Sequence, residues 1–372
     1  MEFLGFCCIF EFYFNYMTDE EYMRRCLQLA EKGFGEVSPN PMVGAVIVCD
    51  DKIIGEGYHQ KYGGPHAEVN AIASVSDATL LRKSTMYVSL EPCCHYGKTP
   101  PCADLILEKG IPNVVVCNRD PFPAVDGKGI EKLRAAGVNV QYGVMNEQGR
   151  WLNRRFFTYH EQKRPYVFLK WAMTHDGYVD RLRKDSSESP LRISSNESLI
   201  EMHKFRAGES AILVGTNTAL MDDPSLTVRY VQGKQPIRIL LDRELKVSQT
   251  AKLYDRSCLT YVITKQKPND SCPNVEYLEC EFFGDGRVNL KAMLDLLYEK
   301  GVESLIVEGG KMFLQSFIDE DLWDEVRVEC NHSLVIGDGV KAPVFDTENP
   351  NIQKYKYQML GENDISFYRK CK

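Results

Sequence analysis

The chain has 372 residues and a mass of 42.5 kDa. At roughly 150 residues per domain that length points to two domains. Its composition, 44% hydrophobic and 26% charged, excludes long disorder, collagen and coiled coil as the main architecture. The formal net charge of -7 argues against a broad nucleic-acid or anionic-membrane surface. The 13 cysteines are odd in number and scattered, and no secretion signal precedes them. They read as reduced cytosolic thiols, a few of them recruited to a metal.

Residues 1–16, MEFLGFCCIFEFYFNY, are apolar and aromatic but too short to span a membrane. They lack the basic start and the cleavage site of a signal peptide. The expectation is that they are a non-native or accessory extension, with Met17 as the natural start. The plainer alternative is an ordered packing segment. A helix is expected just beyond, with Thr18 and Glu21 as a capping box and Met23, Cys26, Leu27 and Ala30 on one apolar face.

In chain order, strands are expected at Val43–Cys49 and Ile53–Tyr58, turning at Asp50-Asp51. A helix from about His66 through Ser74, strand Thr85–Leu90, a helix near Cys102–Lys109 stopped by Gly110, and strand Val114–Cys117 follow. A helix near Gly129–Ala136 and strand Val138–Tyr142 complete a unit with parallel strands over residues 17–145. Residues 146–164 are rich in charge and aromatics and read as a connecting helix and linker. A second α/β run, 165–372, contains strands at Tyr166–Ala172, Ala211–Val214, Ile237–Leu241, Leu259–Ile263 and Leu305–Val307. It has a helix at about Asn196–Arg206, and a last strand pair near Glu325–Cys330 and Ile365–Tyr368. The halves share no motif, so they are two different α/β domains.

His66-Ala67-Glu68 followed by Glu91-Pro92-Cys93 and, late, Cys102 carries the strongest chemical signal. Zinc deaminases use one His and two Cys thiolates and leave a fourth position for water. The usual partner three residues after Cys93 is Tyr96, so the short Cys-x-x-Cys form fails. Cys102 instead opens a helix, where the dipole favours a thiolate. In this reading His66, Cys93 and Cys102 hold zinc. Glu68 takes a proton from the activated water and passes it to the leaving nitrogen. The alternatives are a closed structural zinc site that adds Cys94 or His95, or surface thiols with no metal. In the second half, Val307-Glu308-Gly309-Gly310 between a strand and an apolar helix pattern suits a pyrophosphate. A lone Gly pair does not establish a dinucleotide site.

HAEVNA with EPCCHYGKTPPC resembles the deaminase part of the RibD family of bifunctional riboflavin-biosynthesis enzymes. SPNPMVGAV, Gly57-Tyr58-His59 and Asp120-Pro121 support the likeness. Lys170-x-x-x-Thr174-x-Asp176-Gly177, Gly215-x-x-Thr218, Asp222-Asp223-Pro224-x-Leu226-Thr227-Val228-Arg229 and Glu308-Gly309-Gly310 resemble its reductase part. The resemblance implies a cytidine-deaminase-like α/β/α domain followed by a dihydrofolate-reductase-like α/β domain that uses NADPH. It implies that Asn40 and His59 line the deaminase pocket and that Lys98 and Asp120 hold the ribose phosphate end. In the reductase it implies that Arg206, Leu226, Arg229 and Glu308 meet substrate. Trp171, Thr218, Asp222 and the turn Gly310, Lys311, Met312, Phe313, Leu314, Gln315 and Ser316 would meet the cofactor. For Asn40 the plainer reading is a turn residue, and for the arginines a surface ion pair. Cys94, Phe122 and Arg192 depart from the family, which commonly has Ser, Asn and Trp there.

The reading is a cytoplasmic bifunctional enzyme. It deaminates 2,5-diamino-6-ribosylamino-4(3H)-pyrimidinone 5′-phosphate with one Zn2+ per chain, then reduces the ribosyl group to ribityl with NADPH. No nucleic-acid or membrane partner is expected, and self-association is left open. The rivals are a nucleoside or tRNA deaminase fused to an unrelated domain, and a non-catalytic zinc-stabilised nucleotide-binding protein.

Overall fold

The computed structural model describes residues 17–96, 100–268 and 272–371, and the chain divides into two compact units. One comprises residues up to Gly33 together with Met42–Leu152. The other comprises Phe34–Pro41 and Asn153–Lys372. The expectations for residues 1–16 and for Lys98 fall outside the described residues.

The first unit opens with helix α1 (Asp19–Glu31). Thr18 caps it, accepting from Glu21 N while the Glu21 carboxylate accepts from Thr18 N at 2.7 Å. Strands β1 (Gly44–Cys49) and β2 (Lys52–Tyr58) form a hairpin. Its two turn residues, Asp50 and Asp51, have φ of 49° and 57°, the left-handed pair a two-residue turn requires. Then come α2 (Ala67–Ala73), β3 (Thr85–Leu90), α3 (Cys102–Lys109), β4 (Asn113–Asn118), α4 (Lys128–Ala135), β5 (Asn139–Tyr142) and α5 (Asn146–Leu152). The sheet order is β2-β1-β3-β4-β5. Strands β3, β4 and β5 are parallel as expected, but β1 is antiparallel to both β2 and β3. The reason is topological: β1 is one arm of a hairpin, and the connection through α2 carries the chain across it.

Strand β1 is buried along its whole length because alternate residues enter two cores. Ala45 and Ile47 pack with Ala67, Ala71, Ala103 and Ile106 on one face. Val46 and Val48 pack with Met23, Cys26 and Leu29 of α1 on the other. Each such apolar side chain contributes about 1.5–3 kcal/mol on burial. Gly57 is needed for α2 to lie on β2, since a Cβ there would stand 2.3 Å from Ala71 N.

The second unit contains α6 (Arg154–Gln162), β6 (Tyr166–Thr174), β7 (Tyr178–Asp180), α7 (Asn196–Ala207), β8 (Ala211–Gly215), α8 (Thr216–Asp222), β9 (Ile237–Leu241), β10 (Thr260–Thr264) and β11 (Val275–Glu279). It continues with α9 (Leu290–Glu299), β12 (Ser304–Val307), α10 (Lys311–Asp319), β13 (Glu325–Asn331), β14 (Val340–Lys341), β15 (Ile352–Leu360) and β16 (Asn363–Lys370). Nine strands form one sheet in the order β11-β10-β9-β8-β12-β6-β13-β16-β15. The first seven are parallel, and β16 and β15 add an antiparallel edge.

The central strands read as continuous apolar runs because both faces are covered. On β6, Val167, Leu169 and Trp171 face one core with α9 and α10, while Tyr166 and Phe168 face the other with Met202 of α7. The edge strand β15, IQKYKYQML, is mostly exposed and carries lysines, so no apolar pattern announces it. Residues 146–164 are almost wholly helical, as α5 and α6, and α5 goes with the first unit while α6 goes with the second.

Candidate functional site

In the first unit β2 and β3 both run antiparallel to β1, so β2, β3 and β4 end at one edge of the sheet. His59 follows β2, Glu91 to Cys93 follow β3, and Asp120 follows β4. In α/β sheets this carboxyl edge is where ligands bind. Two helix starts meet the same region: His66 is the N-cap of α2, and Cys102 is the first residue of α3 with Pro101 as its N-cap.

These elements bring His66, Cys93 and Cys102 together with their ligand atoms within 4.8 Å of one another. His66 Nδ1 is 3.5 Å from Cys93 Sγ and 3.3 Å from Cys102 Sγ, and Cys102 N donates to Cys93 Sγ at 3.3 Å. Of the two thiols Cys93 is the acidic one. The hydrogen bond from Cys102 pulls it down to about 4, and the proton so kept pushes Cys102 up. The Cys93 hydrogen bond raises His66 against the opposing effect of burial. Two sulfurs and one imidazole are the donor set that zinc takes, and three protein donors leave the fourth tetrahedral position open. The residues therefore fit zinc. Cys94 lies outside the cluster; its thiol donates to Ala124 O at 3.7 Å.

Glu68, in the first turn of α2, is 3% exposed. Burial, reinforced by the Cys93 thiolate, raises its carboxyl to about 7. A group poised there holds and releases a proton near neutral pH. His59 is also buried. Its Nδ1 is 3.0 Å from Pro65 O, its ring stands edge-on to His66 at 5.5 Å, and burial lowers its pKa. Asp120 accepts from Phe122 N at 2.8 Å, and burial raises it to about 7. Asn40 lies in the Phe34–Pro41 segment, which groups with the second unit, and its amide donates to Val37 O.

Glu91 was present in the motif but carried no role in the sequence. Its buried carboxylate accepts four backbone amides: Asp120 at 3.2 Å, Gly127 at 2.9 Å, Gly129 at 2.9 Å and Ile130 at 3.1 Å. It thereby fastens the start of α4 and the Asp120 loop beside Cys93. The negative charge also complements the helix start. Phe122, at a family departure, leaves its ring 5.9 Å from that of His95.

In the second unit the carboxyl edge of the parallel strands again gathers the polar groups. Glu308 directly follows β12 and pairs with Arg206 at the end of α7, Nη2 to Oε2 at 3.1 Å, both side chains largely buried. Burial pushes the Glu308 carboxyl up, but Arg206 and Lys170 outweigh it and hold the group below its ordinary value. Arg206 also donates to Thr227 O at 2.9 Å. Leu226 is buried at φ 52°, and Arg229 N donates to His203 Nδ1 at 3.0 Å. The register sets Lys170 beside Arg327. The Lys170 side chain has no hydrogen bond or ion pair among the described residues, and the sequence reading gave neither cation a role.

The cofactor candidates divide. Gly310, at φ 69°, caps α10; a Cβ on Gly309 would stand 3.0 Å from Thr218 Oγ1, so this turn and Thr218 form one close-packed cradle. Trp171 Nε1 is buried without a hydrogen-bond partner among the described residues, a donor available to a ligand. Both features fit a dinucleotide. Asp222 is instead engaged by Arg183. Leu314 packs in the apolar core, so only its backbone can face a ligand, and Phe313 meets Phe317 edge to face. Met312 is exposed, Ser316 Oγ returns to Met312 O, and Gln315 bonds Asp319 and Val344. Arg192, at the third departure, bonds Asn196.

Residues 17–118 match the family "Cytidine and deoxycytidylate deaminase zinc-binding region", and residues 165–363 match "RibD C-terminal domain". Riboflavin biosynthesis protein RibD of Aquifex aeolicus is 42% identical over 359 residues, covering 95% of this chain and 98% of its own. The chain belongs to the RibD family. The RibD of Escherichia coli is 34% identical over 84% of this chain and 87% of its own. The Thermotoga maritima crystal structure of a diaminohydroxyphosphoribosylaminopyrimidine deaminase/5-amino-6-(5-phosphoribosylamino)uracil reductase superposes with a TM-score of 0.82. It is 36% identical and covers 95% of this chain and 99% of its own. RibD of Acinetobacter baumannii, 30% identical over 95% of this chain and 99% of its own, gives 0.84.

Proposed function

We propose that this RibD-family chain carries out two successive steps of riboflavin synthesis. The first unit hydrolytically deaminates 2,5-diamino-6-ribosylamino-4(3H)-pyrimidinone 5′-phosphate. The second reduces the ribosyl group of the product to ribityl, giving 5-amino-6-ribitylamino-uracil 5′-phosphate. The observation that carries the reading is the meeting of His66, Cys93 and Cys102 beside a buried Glu68, in a chain whose second unit is also a family member. A nucleoside deaminase with an unrelated partner domain leaves that second unit unexplained. A non-catalytic zinc protein leaves Glu68 buried without a task.

His66, Cys93 and Cys102 would hold zinc, which would supply the Lewis acidity that lets water act as nucleophile near neutral pH. Glu68 takes the proton of that water and delivers it to the departing nitrogen; its raised carboxyl makes both directions accessible. His59 and Asp120 orient the substrate. Lys98 and Asn40 are carried from the resemblance alone, Lys98 toward the phosphate end and Asn40 as a pocket-lining residue. In the second unit NADPH supplies the hydride. Gly310 to Ser316, Thr218 and Trp171 seat it, while Asp222 acts through Arg183. Leu226 packs on the substrate. Arg206 is fixed by Glu308, and Arg229 and Lys170 offer exposed or half-buried cations to a phosphate.

No helix among the described residues is long and apolar enough to cross a membrane. The described cysteines are all free thiols, which supports a reducing, cytoplasmic setting. The acidic net charge supports a small-molecule partner rather than nucleic acid, and the oligomeric state is left to measurement. The test is to give the purified protein the diamino substrate, then NADPH, and follow ammonia and NADPH loss separately. Ammonia release before NADPH is added, then NADPH consumption, is expected. Consumption of NADPH without ammonia release overturns the order.

A further inference from the structure

The second unit contains another cluster of metal-ligating side chains, made of residues given no role in either site above. His175, Cys330 and His332 present one ligand atom each, all within 4.8 Å of one another. We propose that these three side chains bind a divalent ion of the zinc class.

Strand register explains why they converge. Cys330 of β13 pairs with Met173 of β6, and Asn331 pairs with Thr174. Continuing one step sets His332 beside His175. Both histidines stand in the turns just past the strand ends, His175 after β6 and His332 after β13, while Cys330 is on the strand itself. The two imidazole rings are 5.7 Å apart. The thiol of Cys330 is directed back toward this corner, 3.8 Å from Thr174 O. The site falls on the sheet face that carries Trp171 and Met173, opposite the face where Lys170 meets Arg327. It is therefore separate from the substrate cations.

The chemistry selects the ion. One thiolate and two imidazoles favour zinc and its borderline neighbours over magnesium or calcium, which demand oxygen. Donors around a tetrahedral zinc stand roughly 3.5 Å apart, so exposed histidines within 4.8 Å need only rotate to close the site. A carboxylate stands beside the set. Asp364 on β16 pairs with Cys330 in the antiparallel register, and its Oδ1 is 2.9 Å from His332 Nε2. That oxygen is buried and has no hydrogen-bond partner among the described residues. The peptide amides of His175 and His332 are already bonded, to Leu334 O at 2.8 Å and Glu362 O at 3.1 Å, so the backbone of the site is preformed.

The experiment uses the full-length protein, stripped with a chelator and dialysed against micromolar zinc, with metal counted by atomic emission. Wild type is expected to hold two ions per chain. His332→Ala and His175→Ala, both at exposed positions that leave the core intact, should each hold one and release ammonia at the wild-type rate. Cys102→Ser should also hold one, and adding His332→Ala to it should remove the last. Cobalt in place of zinc should give a thiolate charge-transfer band in Cys102→Ser that disappears when Cys330→Ser is added. A wild-type count of one that Cys102→Ser abolishes overturns the proposal. So does a count of two that neither histidine variant lowers.

Discussion

The deaminase unit takes its reactive groups from a short stretch of chain: an N-cap, the first turn of one helix, a strand end and the start of another helix. The reductase unit collects Lys170, Arg206, Leu226, Arg229, Glu308 and Arg327 from three strands or their exits, one helix end and one loop. In the first, low polarity is used to tune acids, since burial raises both Glu68 and Asp120 to about 7. In the second, cations outnumber the carboxylate they surround, and Glu308 is held ionised despite burial. One environment suits proton transfer; the other suits an anionic substrate. The difference teaches that a metal-centred site can be built locally, whereas a phosphate and cofactor site on a parallel sheet gathers residues from several strands, helices and loops far apart in the chain.

The sharpest way to break this division is Glu68→Gln. Gln fills the same space and still bonds water, but cannot accept and return a proton. Ammonia release should fall by about 10²–10⁴-fold or more. Zinc content, and NADPH oxidation on the already deaminated ribosyl substrate, should stay at wild type. Equal loss of both activities would mean that the two units do not work independently.

A second test asks where the reductase unit begins. Arg154 and Arg155 of α6 pair with Glu325 and Glu209, whose side chains are 1% and 0% exposed. A fragment starting at Gln162 strips both arginines and strands two buried carboxylates, at about 3–5 kcal/mol each. A fragment starting at Asn153 keeps them. The shorter fragment should be unfolded by circular dichroism, and the longer one folded and able to oxidise NADPH. Comparable stability would return α6 to the status of a linker.

A third test concerns acidity without catalysis. Glu303 at the head of β12 is buried and raised to about 8; among the described residues its carboxyl accepts only from Ser38 Oγ, at 3.3 Å, and Arg155 opposes the shift. Its native pKa lies above the unfolded one, so the folded state binds more protons between the two values. Stability from this group is complete below the ordinary carboxylate range and is lost as pH rises toward 8. Denaturant titrations should show wild type losing up to about 1.4 kcal/mol per pH unit relative to Glu303→Gln across that window. Parallel pH profiles would remove Glu303 as a buried acid. A fourth variant, Arg229→Ala, should weaken reduction about 10- to 100-fold, the worth of a charged hydrogen bond. It should leave folding stability and ammonia release intact.

The zinc set was legible because its residues sit at helix starts, where capping and dipole physics can be read from a few neighbours. Thr18, Glu21 and Gly110 were legible for the same reason. Glu91 stood in the same motif, yet its task was invisible: its amide partners lie at residues 120–130, beyond any local pattern. The antiparallel placement of β1 is decided by sheet order, which alternating hydrophobicity does not encode. Strand β15 was missed because an exposed edge has no buried face to mark it. Asn40 shows the limit from the other side: its motif is plain, yet its segment groups with the far half of the chain. His175, Cys330 and His332 were unremarkable in sequence, and only the β6–β13 register assembles them.

The smallest expected effect tests the ligand assignment most cleanly. Cys94 is next in sequence to Cys93, and a reader counting cysteines would give it to the metal. Consecutive side chains at a strand exit diverge, and the Cys94 thiol is turned to Ala124 O rather than to His66. Replacing it with Ser keeps a donor for that carbonyl, and an oxygen accepts the shorter bond easily. Cys94→Ser should therefore retain its catalytic zinc and its ammonia release, with stability within about 0.5 kcal/mol of wild type. Cys102→Ser should lose the catalytic ion, since one of three protein ligands is gone and the start of α3 no longer presents a thiolate. Metal analysis of the two variants side by side decides the matter. Loss of the catalytic zinc from Cys94→Ser together with its retention in Cys102→Ser would transfer the third ligand from the helix start to the strand exit.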